Sequence, residues 1–221
     1  MPNSRIKIWR NAVLPRVIGK RDSSFCVIAV DGAEAEPKYF EKFGDSRIKV
    51  KVLPTEEGHS QPTHILDRLK NAKQSLQEED AMDSDEYWMV FDVDERDEEA
   101  LKAICAKAKE EGFQVAISNP CFEFWLFLHS FDVKELDQSV KLLPQEKRPK
   151  EMKRLLGELS KKLGKNYYQN LLKLPYKEFR ENVQRAVRRA KEHEQGNRKC
   201  HPDFPGSHVY KLVEALPIKS I

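Results

Sequence analysis

A chain of 221 residues with 39% hydrophobic and 34% charged residues has material for one compact core and a surplus of exposed, charged helix surface. No apolar stretch approaches membrane-spanning length, and no apolar segment with a cleavage site follows the basic N-terminus. A soluble, cytoplasmic protein with no membrane partner is therefore expected. Cys26, Cys105, Cys121 and Cys200 show neither CxxC nor zinc-ribbon spacing, which gives no zinc module and predicts free thiols, most of them buried.

The net charge of +3 conceals a strong polarity. Residues 1–21 carry six Lys/Arg and no acid, residues 22–130 have a net charge of −12, and residues 131–221 one of +9. This divides the chain into a basic N-terminal arm (1–21), an acidic body (22–130) and a basic C-terminal region (131–221). An acidic body between basic ends suits a metal site with phosphate-binding flanks, and it also suits ordinary solvated Lys-rich helices.

Phe25-Cys26-Val27-Ile28-Ala29-Val30 reads as a strand buried on both faces, ending in Asp31-Gly32. A helix starts near Glu36 with Pro37 in its first turn. Ile48 to Leu53 alternates apolar and basic residues, as expected of a half-exposed strand near an edge. Thr63 to about Glu79 is an amphipathic helix with Ile65, Leu66, Leu69, Ala72 and Leu76 inward. Tyr87-Trp88-Met89-Val90-Phe91 is a third strand, and it runs into Asp92-Val93-Asp94. Strand side chains two apart point the same way, so Asp92 and Asp94 are expected to converge at its carboxyl end. Such a pair suits Mg2+, which binds a few hard oxygens beside water and substrate phosphates. For Asp94 a helix N-cap is an equal alternative, with Glu95, Arg96 and Asp97 as its first turn. A calcium loop is a poor match, because Asp97 stands at its Gly position and Ala103 at its bidentate Glu position.

A helix is expected from Glu95 to Glu111, then a fourth strand from Phe113 to Ser118. Asn119-Pro120 opens a largely apolar helix, Cys121 to His129. Cys121 reads as a buried thiol and His129 as a core or helix-end residue, whereas Glu123 among aromatics must be paired, protonated or metal-bound. Strands alternating with helices predict an α/β fold with a parallel sheet flanked by helices. If the first and third strands are neighbours, Asp31, Asp92 and Asp94 share the crevice where ligands bind in such sheets. The rest reads as a helical, basic extension packed on this core, with helices at 148–164, 166–173, 177–195 and from Gly206 to Leu216. Arg185, Arg188 and Arg189 form a basic patch at helical spacing. The chain has no P-loop, no GxGxxG after a strand and no HExxH.

Several of these stretches together resemble the RloB-like family. Its first motif is approximately E-G-x-x-T-E-x-x-Y-F, and here Asp31-Gly32-Ala33-Glu34-Ala35-Glu36-Pro37-Lys38-Tyr39-Phe40 keeps Gly32, Glu36, Tyr39 and Phe40. Asp31 replaces Glu, and Ala35 replaces Thr. Asp92-Val93-Asp94 matches the family's DxD. Ser118 to Trp125 with His129 matches its most specific signature, and Pro205 to Val213 is similar to its C-terminal segment. The resemblance spans about residues 24–216. It implies a Toprim-like (topoisomerase–primase) core in a prokaryotic phage-defence or abortive-infection protein, often paired with an ATPase. The implied activity is a Mg2+-dependent nuclease, with Mn2+ as the alternative ion, acting on DNA or RNA. Asp31, Asp92 and Asp94 would hold the metal, and Asp31, Glu36, Asp92, Asp94 and Glu123 would make up the catalytic set. Arg185, Arg188 and Arg189 would hold the nucleic-acid backbone. The competing reading is an inactive sensor or binding module that docks the ATPase or a phage component, and Asp31 in place of Glu favours it.

Overall fold

Alternation governs how the apolar strands are used. On β1 (Ser24–Val30), Cys26, Ile28 and Val30 face one side of the sheet, and Val27 and Ala29 the other. Both sides are covered, so the strand has no polar face and its sequence shows no alternation. The computed structural model describes residues 22–55, 61–79, 81–94, 96–136, 138–162, 167–194 and 199–219. The basic arm expected at 1–21 lies outside the described residues.

After β1 come α1 (Ala35–Phe40), β2 (Ile48–Leu53), α2 (Pro62–Glu79), β3 (Glu86–Asp92), α3 (Glu98–Glu110), β4 (Gln114–Asn119) and α4 (Phe122–Leu128). A 3-10 turn (Val133–Glu135), α5 (Gln138–Leu142) and a second 3-10 turn (Gln145–Lys147) lead into α6 (Arg148–Lys162). The chain closes with α7 (Tyr167–Lys173), α8 (Tyr176–His193), β5 (Gly206–Ser207) and α9 (Val209–Ala215). The sheet order is β2-β1-β3-β4-β5; the first four strands are parallel and β5 is antiparallel to β4. This is the expected α/β sheet flanked by helices, with β2 at an edge. The chain order reverses between β1 and β3, which opens a crevice at their carboxyl ends.

Helices α2 and α3 cover one face, where Ile65, Leu69, Leu101 and Ile104 meet Val27, Met89 and Phe91. The opposite face carries α1, α4 and the C-terminal helices in one continuous core. At its centre Tyr39 lies edge-on to Phe40, Phe122, Trp125 and His129. His129 is fully buried, with Nδ1 3.0 Å from the Trp125 carbonyl and Nε2 3.0 Å from the Tyr39 hydroxyl. A carbonyl only accepts, so Nδ1 carries the proton and Nε2 accepts from Tyr39. Burial pushes the His129 pKa down to about 3, so the imidazole is neutral. The core role expected of His129 is the one observed.

Three local expectations change. The helix expected at Glu95 begins at Glu98, and its N-cap is Asp97, whose side chain accepts from Ala100 N at 2.8 Å. Asp94 is therefore not a cap. Strand β3 ends at Asp92, so alternation does not carry across to Asp94, which sits in a turn at φ 48°. Residues 206–207, expected to open a helix, pair with β4 instead, and α9 starts at Val209.

Candidate functional site

Asp31 follows the last residue of β1, and Asp92 is the last residue of its neighbour β3. The Asp31 backbone N–H donates to Val90 O at 3.1 Å, and Asp31 Oδ2 accepts from Asp92 N at 3.0 Å. One carboxylate oxygen thus ties the two strand ends together across the switch point. Glu36 enters from α1 and is buried. It lies over Gly32, where an added Cβ would stand 1.8 Å from Glu36 Oε2, so a glycine is needed to seat this carboxylate. Glu123 enters from the first turn of α4, which the Asn119-Pro120-Cys121 segment aims at the site.

The electrostatics show that these side chains share one space. Burial pushes the Asp31 carboxyl up to about 6, with Asp94 adding to the rise and the Asp92 backbone N–H opposing it. Burial pushes Glu36 up to about 8, and the charges of Asp31 and Glu123 add to the effect. Burial also holds Asp92 well above the usual carboxylate range, reinforced by Asp31, Glu36, Glu123 and Asp94. Desolvation and like charges act in the same direction here, and a bound cation would relieve both. The Cys121 thiol is raised by burial and then by Glu123 and Asp92, which makes it an unreactive core thiol.

Cations reach the rim from two directions. Arg96 Nη1 donates to Asp94 Oδ2 at 2.8 Å and to Asp92 O at 3.0 Å. Gln145 Nε2 donates to the Asp94 carbonyl, so the second 3-10 turn clamps the turn that holds Asp94. Lys153 of α6 stands 3.5 Å from Glu123 Oε1. Neither Gln145 nor Lys153 stands out in the sequence, because nothing local marks a residue whose partner is contributed by another element. Arg68 escapes sequence reasoning in the same way: from α2 it donates to Val30 O and Pro54 O, closing the carboxyl ends of β1 and β2.

The fold therefore brings Asp31, Glu36, Asp92 and Glu123 together, with Asp94 at the exposed rim. It places the arginines elsewhere. Arg185 Nε donates to His129 O at 3.4 Å and Arg189 Nη1 to Leu128 O at 2.7 Å, so both close the C-terminus of α4, the end away from Glu123. Arg188 is exposed, lies 3.9 Å from Glu192, and lines a groove of about 860 Å³ between α8 and α9. The donor set at the carboxylates is all hard oxygen, as Mg2+ or Mn2+ requires. Among the described residues, however, no group of three or more His, Cys, Asp or Glu is gathered tightly enough to hold a metal ion.

Gly32→Ala tests the placement of Glu36. The added methyl should expel the carboxylate from its seat at a cost of about 1–3 kcal/mol. An expelled Glu36 regains water, so its contribution to the pH dependence of stability between pH 4.5 and 8 should vanish. Urea titrations of both proteins across that range would show it; an identical slope would mean that Glu36 stays put.

A largely parallel α/β sheet with a buried glutamate and half-buried aspartates at its strand-order switch describes the class. The chain itself belongs to the RloB-like family, whose model it matches over residues 26–216. No curated protein and no solved structure matches it. Among the described residues no helix is long and apolar enough to cross a membrane.

Proposed function

We propose that this protein is a Mg2+-dependent, Toprim-type nuclease of a prokaryotic phage-defence system, acting in the cytoplasm with a partner ATPase. The observation that carries the reading is the convergence of Asp31, Glu36, Asp92 and Glu123 from β1, α1, β3 and α4, with Asp31 bonded to the Asp92 N–H, Glu36 seated over Gly32, and Glu36 and Asp92 both raised by their neighbours' charges. Structural carboxylates avoid such company unless a cation or a proton is part of their work. Mg2+ commonly takes one or two protein carboxylates and completes its shell with water and phosphate, so a tight protein cage is not required. Asp92 and Asp31 would hold it, with Asp94 joining once released from Arg96. Mn2+ would serve in its place. The bound ion would neutralise phosphate charge and acidify a nearby water.

The chain's own residues supply the rest. Glu36, which burial and its neighbours' charges keep protonated near neutral pH in the metal-free protein, would be the proton carrier beside the metal. Asp31 keeps one oxygen on the Asp92 N–H, so its other oxygen is the one open to a ligand. Glu123 positions Lys153 beside the cluster.

Thermal melting and a cleavage panel over single- and double-stranded DNA and RNA test the proposal, each with Mg2+, Mn2+ or EDTA and with the partner ATPase present. Millimolar metal should raise the melting temperature, because it binds only the folded state, and cleavage should require it. One observation favours the sensor reading. Asp94 is held by Arg96 and Asp31 by the Asp92 backbone, an arrangement that is self-sufficient without metal. Nucleic-acid or partner binding with no metal-induced shift and no cleavage would decide for that reading.

A further inference from the structure

The carboxylate pocket would repel a polyanion unless cations line its mouth, and the α8 arginines do not lie there. Arg185 and Arg189 are bonded to carbonyls at the C-terminus of α4. That helix has seven residues, so its far end lies roughly 10 Å from the turn that carries Glu123. A different element crosses the mouth. Gln145 touches the Asp94 turn at one side of the pocket, and Lys153 touches Glu123 at the other. Between them runs Gln145-Glu146-Lys147-Arg148-Pro149-Lys150-Glu151-Met152-Lys153, followed by Arg154.

The cations of this segment divide into two groups. Arg148 stacks 3.9 Å over the Phe204 ring and donates to Leu143 O, which anchors the segment to the body. Arg154 is paired with Glu151 and Glu158. Met152 and Leu156 insert into the core, which fixes the face that α6 turns outward. Lys147, Lys150 and Lys153 are exposed and spaced three residues apart. Lys147 and Lys150 have no carboxylate partner among the described residues, and Lys153 leans on Glu123 at the pocket edge.

Building on the nuclease reading, we infer that Lys147, Lys150 and Lys153 form the track along which a nucleic-acid backbone enters the carboxylate pocket. Lys153 stands where the phosphate to be cleaved arrives. Lys147 and Lys150 contact phosphates farther along the strand, without regard to sequence. Arg185 and Arg189 are then structural.

The test uses the full chain and two fluorescein-labelled oligonucleotides of unrelated sequence, each single-stranded and as a duplex. Affinity is measured by anisotropy in Ca2+ over a range of salt. The double variant Lys147→Gln/Lys150→Gln should weaken binding of both sequences alike, by about tenfold or more at low salt. It should also reduce the slope of log K against log salt by about 0.9 for each duplex phosphate that is no longer neutralised. Lys107→Gln/Lys109→Gln, at the C-terminal end of α3, should change neither quantity. Lys153→Met should lower kcat under Mg2+ far more than it raises KM, and Lys153→Arg should restore part of the rate. The substituted lysines are exposed, and matching melting curves establish that the variants are folded. An unchanged salt slope in the double variant, with the wild type binding well, overturns the track and leaves the nuclease reading intact. A wild type that binds no oligonucleotide at any salt overturns both.

Discussion

Asp92→Asn should make the metal-free protein more stable and, under the nuclease reading, abolish its metal-dependent cleavage. Both effects have one cause. The folded state forces Asp31, Glu36, Asp92 and Glu123 into a shared, poorly hydrated space, so removing one charge relieves the others. The expected gain is about 1–3 kcal/mol at pH 8, after discounting for protons shared within the cluster. The loss of a metal ligand removes several kcal/mol of transition-state stabilisation, a rate loss of at least about 10³-fold. The pH dependence supplies the check. The folded pKa of Glu36 is raised from 4.5 to about 8, and that of Asp31 from 3.8 to about 6. Between those limits the folded state holds protons that the unfolded chain has released, so stability falls as pH rises. His129 acts in the opposite sense: its folded pKa of about 3 lies below 6.5, so stability falls as pH drops through that window. In EDTA the wild type should therefore be most stable at about pH 4, where the opposing proton uptakes balance, and Asp92→Asn should flatten the alkaline side alone. A variant that is unfolded, or that keeps the full alkaline slope, would give Asp92 a structural role instead.

Trp125→Ala should be the most damaging core substitution. The indole is fully buried, edge-on to Tyr39 at 6.4 Å and to His129 at 5.1 Å. A cavity of that size costs about 3–5 kcal/mol, which lowers the melting temperature of a chain this long by roughly 10 °C. The pH profile identifies the place. With the indole gone, water reaches the imidazole and the His129 pKa moves back towards 6.5. The acid-side loss of stability should shrink while the alkaline slope stays. Melting and urea titrations at pH 4, 6 and 8 separate this from a generic loss of packing, which would lower all three points equally.

Strands β1, β3 and β4 are legible in the sequence because strands buried on both faces are largely apolar, and β2 because an edge strand alternates apolar and basic residues. Asp31, Asp92 and Glu123 stand out because a carboxylate in or beside an apolar run must be paired, protonated or metal-bound, whereas Glu36 is singled out by the family motif alone. Asp94 shows where strand logic stops. The β ladder ends at Asp92, and the left-handed turn that follows is fixed by Arg96 and by Gln145, 51 residues away in sequence. Helical spacing puts Arg185 and Arg189 on one face, but does not say what that face meets; the carbonyls of α4 decide it. Strand β5 has two residues, too few to carry a period, and only its pairing with Ser118 and Asn119 defines it.

That short strand also bears on the order of events while the chain is made. Ser207 Oγ meets Ser118 Oγ across 89 positions of sequence, and Ser118 is in register with Asp92. At about 5–20 residues per second, the outer side of β4 waits roughly 5–20 s on the ribosome for its neighbour to emerge. During that interval the nascent protein has an open sheet edge of the kind that recruits other chains. The side of β4 that faces away from Asp92 is paired only when Gly206 and Ser207 dock. Closure of the sheet is therefore a late step in biosynthesis, set by the distance along the chain between two serines.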